Sequence, residues 1–157
     1  MIEKLNVITA AQPWVDRFPL TGRYTYGIAG ERFFRELKDN GRFMGTRCAT
    51  CDRVYVPPRL FCLECFEQLA EWVDVPATGT VHTYTVLHIN LDEEPLSEPE
   101  IIAFVQLDGC DGGLVHRLGE VTAEEVYIGM PVEAVLKPPA ERTGGITDIL
   151  YFRPTPR

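Results

Sequence analysis

Long apolar runs are missing from this chain of 157 residues. The longest, such as residues 101–105, fall far short of the roughly 20 residues a bilayer-spanning helix needs. No charged-then-apolar signal segment with a cleavage site stands at the N-terminus, so the expectation is a soluble, cytoplasmic protein whose thiols stay reduced. Excess positive charge is missing too: the formal net charge is -8, and nucleic-acid affinity comes mostly from neutralising phosphates, so general nucleic-acid binding is disfavoured. The sequence contains no G-x-S-x-G, H-E-x-x-H or phosphate loop. An independent enzyme needs a nucleophile, a base and an orienting group within mutual reach, and little here supplies them.

What is present is a cysteine pattern, Cys48-x2-Cys51-x10-Cys62-x2-Cys65. Each C-x-x-C turn lets two thiolates converge on one ion at roughly 2.3 Å, and two such knuckles close a tetrahedral shell that leaves no position for water. The pattern therefore predicts a structural metal site with Cys48, Cys51, Cys62 and Cys65 as ligands and Zn2+ as the ion. Iron in a rubredoxin-type site has the same ligand set. Two disulfides need an oxidising compartment, and a redox C-x-x-C pair needs a low-pKa thiolate at a helix N-terminus. The fifth cysteine, Cys110, lies in the run Asp108-Gly109-Cys110-Asp111-Gly112-Gly113 without partner spacing and reads as an incidental loop thiol.

A chain of this length suits one domain, or a small module plus a compact barrel, and 45% hydrophobic residues can bury a real core. Three units are expected: an arm and helix over 1–40, a zinc ribbon over 41–70 and a barrel over 71–157. Residues 1–27 carry Trp14, Phe18, Tyr24 and Tyr26, too aromatic for a typical disordered tail, which suits an arm packed either on a partner or on its own domain. Residues 31–40 read as an amphipathic helix with Phe33, Phe34 and Leu37 on one face and Gly41 placed for a left-handed C-terminal cap. Val54-Tyr55-Val56 alternates like a strand and stops at Pro57-Pro58. Further strands are expected at 71–75, 80–89, 101–107, 114–118, 132–137 and 146–152. Thr122-Ala123-Glu124-Glu125 has the form of a capping box, giving one helical turn between the third and fourth barrel strands. That order, three strands, a short helix and two strands, is that of a five-stranded OB barrel, so the fold class is mainly β. The polar, acidic joint over 90–100 reads as an exposed loop at the barrel mouth, a solvated rim rather than a pair of catalytic carboxylates.

Five ordered motifs resemble a known family, proteins with an N-terminal helix, a rubredoxin-like zinc ribbon and a C-terminal OB-fold, found beside thiolases and related acyl-CoA enzymes. They are Arg47-Cys48-Ala49-Thr50-Cys51-Asp52-Arg53-Val54-Tyr55-Val56-Pro57-Pro58-Arg59, Cys62-Leu63-Glu64-Cys65, Gly79-Thr80-Val81-His82-Thr83-Tyr84-Thr85-Val86, Ile128-Gly129-Met130-Pro131-Val132 and Phe152-Arg153-Pro154. The family pattern usually places Gly after the second cysteine and Pro after the third, where this chain has Asp52 and Leu63. The resemblance implies a non-catalytic subunit that docks on a thiolase-fold enzyme as a hetero-oligomer and helps form a site for the CoA thioester.

CoA carries several phosphate charges, so a surface that binds it needs Arg or Lys forks. Residues 38–59 have a net charge of +3 against -12 over residues 60–157. Arg47, Arg53 and Arg59 in that basic stretch are the candidate CoA contacts. Two other classes compete with the accessory subunit. One is a nucleic-acid module that stacks bases on strand aromatics such as Tyr84 and Phe104. The other is a hydratase or aldolase using His82 or His88, which lie six residues apart on one strand, with His116 on another.

Overall fold

The computed structural model describes residues 25–155. Trp14, Phe18 and Tyr24 of the aromatic arm lie outside them, while Tyr26 turns back on its own domain, its ring 4.5 Å from that of Phe34. Helix α1 (Gly27–Asn40) starts four residues ahead of the predicted helix. The two glycines of its opening Gly-Ile-Ala-Gly are poor helix formers and Tyr26, at the N-cap, makes no side-chain capping bond, so tertiary contact rather than propensity sets this end. The far end follows the expectation: Gly41 adopts φ 64°, and its N–H reaches Leu37 O at 3.1 Å while that of Arg42 reaches Glu36 O at 3.3 Å. Phe33 and Leu37 are buried, and Phe33 meets Phe43 edge-on at 6.1 Å.

Strand β1 (Phe43–Cys48) is central to a three-stranded antiparallel sheet in the order β2-β1-β3, with β2 (Arg53–Tyr55) and β3 (Glu71–Val75). Thus β3, the first strand of the β-rich half, hydrogen-bonds to β1, with Phe43 opposite Val75 and Arg47 opposite Glu71. Arg32 of α1 lies 4.2 Å above the Trp72 ring and joins the helix to this sheet by a cation–π contact.

The remaining five strands, β4 (Thr78–Ile89), β5 (Pro95–Leu107), β6 (Gly113–Leu118), β7 (Pro131–Leu136) and β8 (Ile149–Pro154), close into a barrel in the order β4-β5-β6-β8-β7. All barrel pairings are antiparallel except β6 with β8, which meet in parallel at Leu118 and Phe152. This is the expected OB-fold. Between β6 and β7 the chain makes the expected single turn: Val126 N–H reaches Thr122 O at 3.2 Å, and the Glu125 carboxylate accepts the Thr122 N–H at 3.0 Å. One continuous core joins Phe33, Leu37 and Phe43 to the barrel's Val81, Val105, Val132 and Phe152, so helix, sheet and barrel share their apolar contacts.

The acidic joint departs from expectation. The loop is only Asn90–Glu94, and residues 95–100 are strand, extending the β4–β5 hairpin to the pairs Leu87 with Glu100 and Ile89 with Pro95. Two prolines and two acidic residues within 95–100 conceal a strand, because each weakens β-propensity when read locally. The last strand begins at Ile149 rather than 146, after a 3-10 turn at Ile146–Asp148. There the wholly buried carboxylate of Asp148 accepts the N–H of Thr143 at 2.8 Å and of Gly144 at 2.7 Å.

A seam fixes the ribbon to the barrel. From the β5–β6 loop, the Asp111 carboxylate accepts the Val54 N–H at 2.9 Å and pairs with Arg53 at 2.6 Å. The Asp111 N–H in turn donates to Val54 O at 2.8 Å. Burial pushes the Asp111 carboxyl up, but the Val54 N–H and the Arg53 guanidinium outweigh it and hold the group below the usual range. Beside it, a Cβ on Gly112 would collide with the Val56 carbonyl oxygen.

Candidate metal centre

The first knuckle follows β1 directly, and the second lies within the excursion between β2 and β3, closed by the Cys62 N–H to Glu67 O bond at 2.9 Å and the Leu69 N–H to Leu60 O bond at 2.8 Å. These paths bring Cys48, Cys51, Cys62 and Cys65 together, all four sulfurs lying within 4.8 Å of one another. A tetrahedron with 2.3 Å metal–sulfur bonds has edges of roughly 3.8 Å; the Cys48 and Cys65 sulfurs stand 3.6 Å apart, far beyond the ~2.05 Å of a disulfide. The spacing suits a shared ion, and the four-cysteine set fits zinc.

The knuckles also carry an outer layer of donors. The Cys51 N–H points at the Cys48 sulfur at 3.4 Å, the Glu64 N–H at the Cys62 sulfur at 3.4 Å, and the Tyr55 hydroxyl lies 3.3 Å from the Cys62 sulfur. The N–H of Cys65 and then the Tyr55 hydroxyl draw the Cys62 thiol down to about 6. Contact with Cys65, then burial, pushes Cys51 up to about 12. Four adjacent thiols cannot all ionise without a counter-charge, and a divalent cation supplies one. Sequence reading treats Tyr55 as a strand residue only; its place in a strand between the two knuckles is the signal for its second role.

Asp52, where the family pattern has glycine, takes up φ 54°, a left-handed conformation that glycine tolerates best and that aspartate tolerates better than most. Its carboxylate is held by Arg47. Arg47 also lies 3.8 Å from Glu71, and Arg53 is engaged by Asp111. Arg59 differs from both. Its backbone is clamped by buried Thr46, whose hydroxyl accepts the Arg59 N–H at 2.9 Å and donates to Arg59 O at 3.0 Å. Among the described residues the exposed Arg59 guanidinium makes no ion pair.

The histidines do not assemble. His82 and His88 are exposed and each falls at a register shift of the β4–β5 pair. His116 is half-buried on β6, where burial lowers its pKa. Cys110 is partly buried in its loop, and burial followed by the charges of Asp111 and Asp108 pushes its thiol up to about 11, so it is a poor nucleophile.

A short helix, a ribbon carrying four convergent thiols and a five-stranded OB barrel define the class of zinc-ribbon plus OB-fold proteins. Residues 35–70 match the family described as the ChsH2 rubredoxin-like zinc ribbon domain, and residues 72–137 match the ChsH2 C-terminal OB-fold domain. The chain belongs to the DUF35 family. It is 32% identical over 108 residues to a DUF35 domain-containing scaffold protein of Methanocaldococcus jannaschii, covering 68% of this chain and 75% of that one. Over 101 residues it is 31% identical to a probable enoyl-CoA hydratase alpha subunit of Thermomonospora curvata, covering 64% of this chain and 31% of that longer protein. Among solved structures, the Ltp2-ChsH2(DUF35) aldolase superposes with a TM-score of 0.61 at 26% identity, covering 84% of this chain and 98% of that one. A DUF35-family protein from Sulfolobus solfataricus superposes with a TM-score of 0.60 at 27% identity, covering 69% and 78%.

Proposed function

We propose that this chain is a non-catalytic accessory subunit of an acyl-CoA enzyme that makes or breaks carbon–carbon bonds on a thiolase-type fold. The observation that carries the reading is the closed four-thiol site: with all four positions taken by cysteine, the ion holds shape and offers no place for water or substrate. Two relatives lend direction. One is named a scaffold protein, and one solved relative is named Ltp2-ChsH2(DUF35) aldolase. The partner supplies the nucleophile and the acid–base groups, while this chain braces it and contributes to the thioester site. Arg59, which makes no ion pair among the described residues and sits on a clamped backbone, is the residue best placed to meet a CoA phosphate.

The test is to isolate the tagged full chain from its source cells, identify what co-purifies, and assay CoA thioester turnover by the chain alone and by the complex. A thiolase-fold enzyme should co-purify, and the complex alone should turn over. Turnover by the isolated chain at an enzymatic rate overturns the reading, as does the absence of any CoA-thioester enzyme.

A further inference from the structure

The β4–β5 hairpin continues past its pairings with β6 and β7 as a two-stranded tongue, and it carries exposed apolar side chains ringed by acids. Leu87, Ile89, Leu91 and Leu96 line one groove of about 470 Å3 with Asn90, Asp92 and Glu100. Leu91 at the tip is 103% exposed and Ile89 56%. Isolated surface leucines are ordinary; several large apolar side chains gathered on one projecting element mark an interaction site. The tip is a built feature: the Asn90 side-chain oxygen accepts the N–H of Asp92 and of Glu94, each at 2.9 Å, and the Glu93 N–H bonds to Asn90 O at 3.2 Å. A turn fixed in advance loses little freedom on binding.

Charge identifies the occupant. Residues 87–100 hold five acidic side chains, Asp92, Glu93, Glu94, Glu98 and Glu100, and no Lys or Arg. Such a rim repels nucleic acid, anionic lipid and the acidic barrel of a second copy, and it attracts a basic protein surface. Pro95 and Pro99 lack N–H groups and blunt the tongue for pairing with another strand edge, which leaves docking through side chains. We propose that this tongue is the docking element of the chain, its leucine and isoleucine side chains entering an apolar cleft rimmed by Lys and Arg on the partner enzyme. The proposal rests on the accessory-subunit reading and adds the surface through which that subunit binds.

The experiment places the photo-crosslinker p-benzoylphenylalanine at Leu91, and in a second protein at exposed Val115 on β6, in the full chain in its source cells. Adducts are mapped by mass spectrometry. The enzyme that co-purifies is then titrated with wild type and with the double variant Ile89→Ser, Leu91→Ser. The expected result is a Leu91 adduct on a Lys/Arg-rimmed surface of a CoA-thioester enzyme, no such adduct from Val115, and at least ~tenfold weaker binding by the double variant with an unchanged circular dichroism spectrum. If the enzyme co-purifies but crosslinks only from Val115 and binds the double variant as tightly as wild type, the tongue is not the docking element while the accessory role stands. A Leu91 adduct on a basic surface of some other protein upholds the tongue and removes the accessory role. An adduct on a second copy, or no adduct and no co-purifying protein, overturns the proposal.

Discussion

Removing the metal should melt the knuckles and spare the barrel. The ribbon's own core is small: Cys48, Tyr55, Cys62 and Leu69 are its buried members, with Cys51 packed against them. Burying Leu69 and the apolar parts of the other three is worth about 5 kcal/mol at ~25 cal/mol per Å2. Ordering the backbone of residues 60–69 costs about 1–2 kcal/mol per residue, or roughly 10–20 kcal/mol for the ten. Apolar burial therefore leaves a deficit of roughly 5–15 kcal/mol, and structural zinc in small ribbons contributes about 10–16 kcal/mol. The ion closes the gap. By contrast, Phe43 of β1 and Val56 just after β2 belong to the main core, and Asp111 fixes Val54 from the barrel side, so the outer parts of the sheet have independent support.

The assay is metal analysis of the protein as purified, then hydrogen exchange before and after removing the ion with a thiol-reactive agent and chelator, reversed with dithiothreitol. One ion per chain is expected. Amides of Cys62 and Leu69 should lose protection on removal, while those of Val105 and Val132 in the barrel should keep theirs. Cys48→Ser should reproduce the pattern without chelator. If the metal-free protein protects Cys62 and Leu69 as well as the loaded one does, the ribbon stands on its own contacts and the scaffold argument fails. Collapse of barrel protection together with the knuckles would show that the two units are not separable energetically.

Three further outcomes follow from particular contacts. Burial pushes the Asp148 carboxyl up, but the N–H groups of Thr143, Gly144 and Gly145 outweigh it and lower its pKa; the stability this contributes is fully present above the ordinary aspartate value of about 3.9 and lost as pH falls through the lower folded value. Asp148→Asn should therefore cost about 2 kcal/mol at neutral pH, and its difference from wild type in urea denaturation should shrink below pH ~4; a difference independent of pH would refute the assignment. At the seam, Asp111→Ala should cost about 1–2 kcal/mol, mainly through the orphaned Val54 N–H rather than the exposed ion pair, and Gly112→Ala should cost at least as much by collision with Val56 O; full thermal stability in both would mean that ribbon and barrel are not coupled there. In the reconstituted complex, Arg59→Ala should raise KM for the thioester several-fold while assembly is unchanged, and an unaltered KM would remove Arg59 from the thioester site.

The metal site was the most legible part of the sequence because its signal is short-range: C-x-x-C geometry is set within four residues, and only the meeting of two knuckles needs the fold. The OB order was legible for a related reason, since alternation and the Thr122-to-Glu125 box are local. Properties that depend on partners in space were not. Local pattern shows that residues 71–75 form a strand but not that β1 receives them, and it cannot show that Arg47 and Arg53 already hold Asp52, Glu71 and Asp111. The strand over 95–100 was hidden for the same reason, because its support comes from β4 across the hairpin rather than from its own residue types.

Charge at the surface, rather than charge in the sequence, decides what this molecule can bind. The +3 of residues 38–59 suggests a basic lobe, but Arg42 faces Glu36 and Asp74, Arg47 faces Asp52 and Glu71, and Arg53 faces Asp111. Internal pairing leaves little of that positive field for a distant anion, since opposite charges a few ångströms apart cancel beyond a Debye length of about 8–10 Å. Among the described residues Arg59 makes no ion pair, and neither do the acids of the tongue, which have no Lys or Arg beside them within residues 87–100. A guanidinium without an ion pair among the described residues suits one phosphate of a small ligand, whereas a row of carboxylates around leucines suits a protein surface. The proposed thioester contact and the proposed docking element therefore lie at different places, and losing one should leave the other intact.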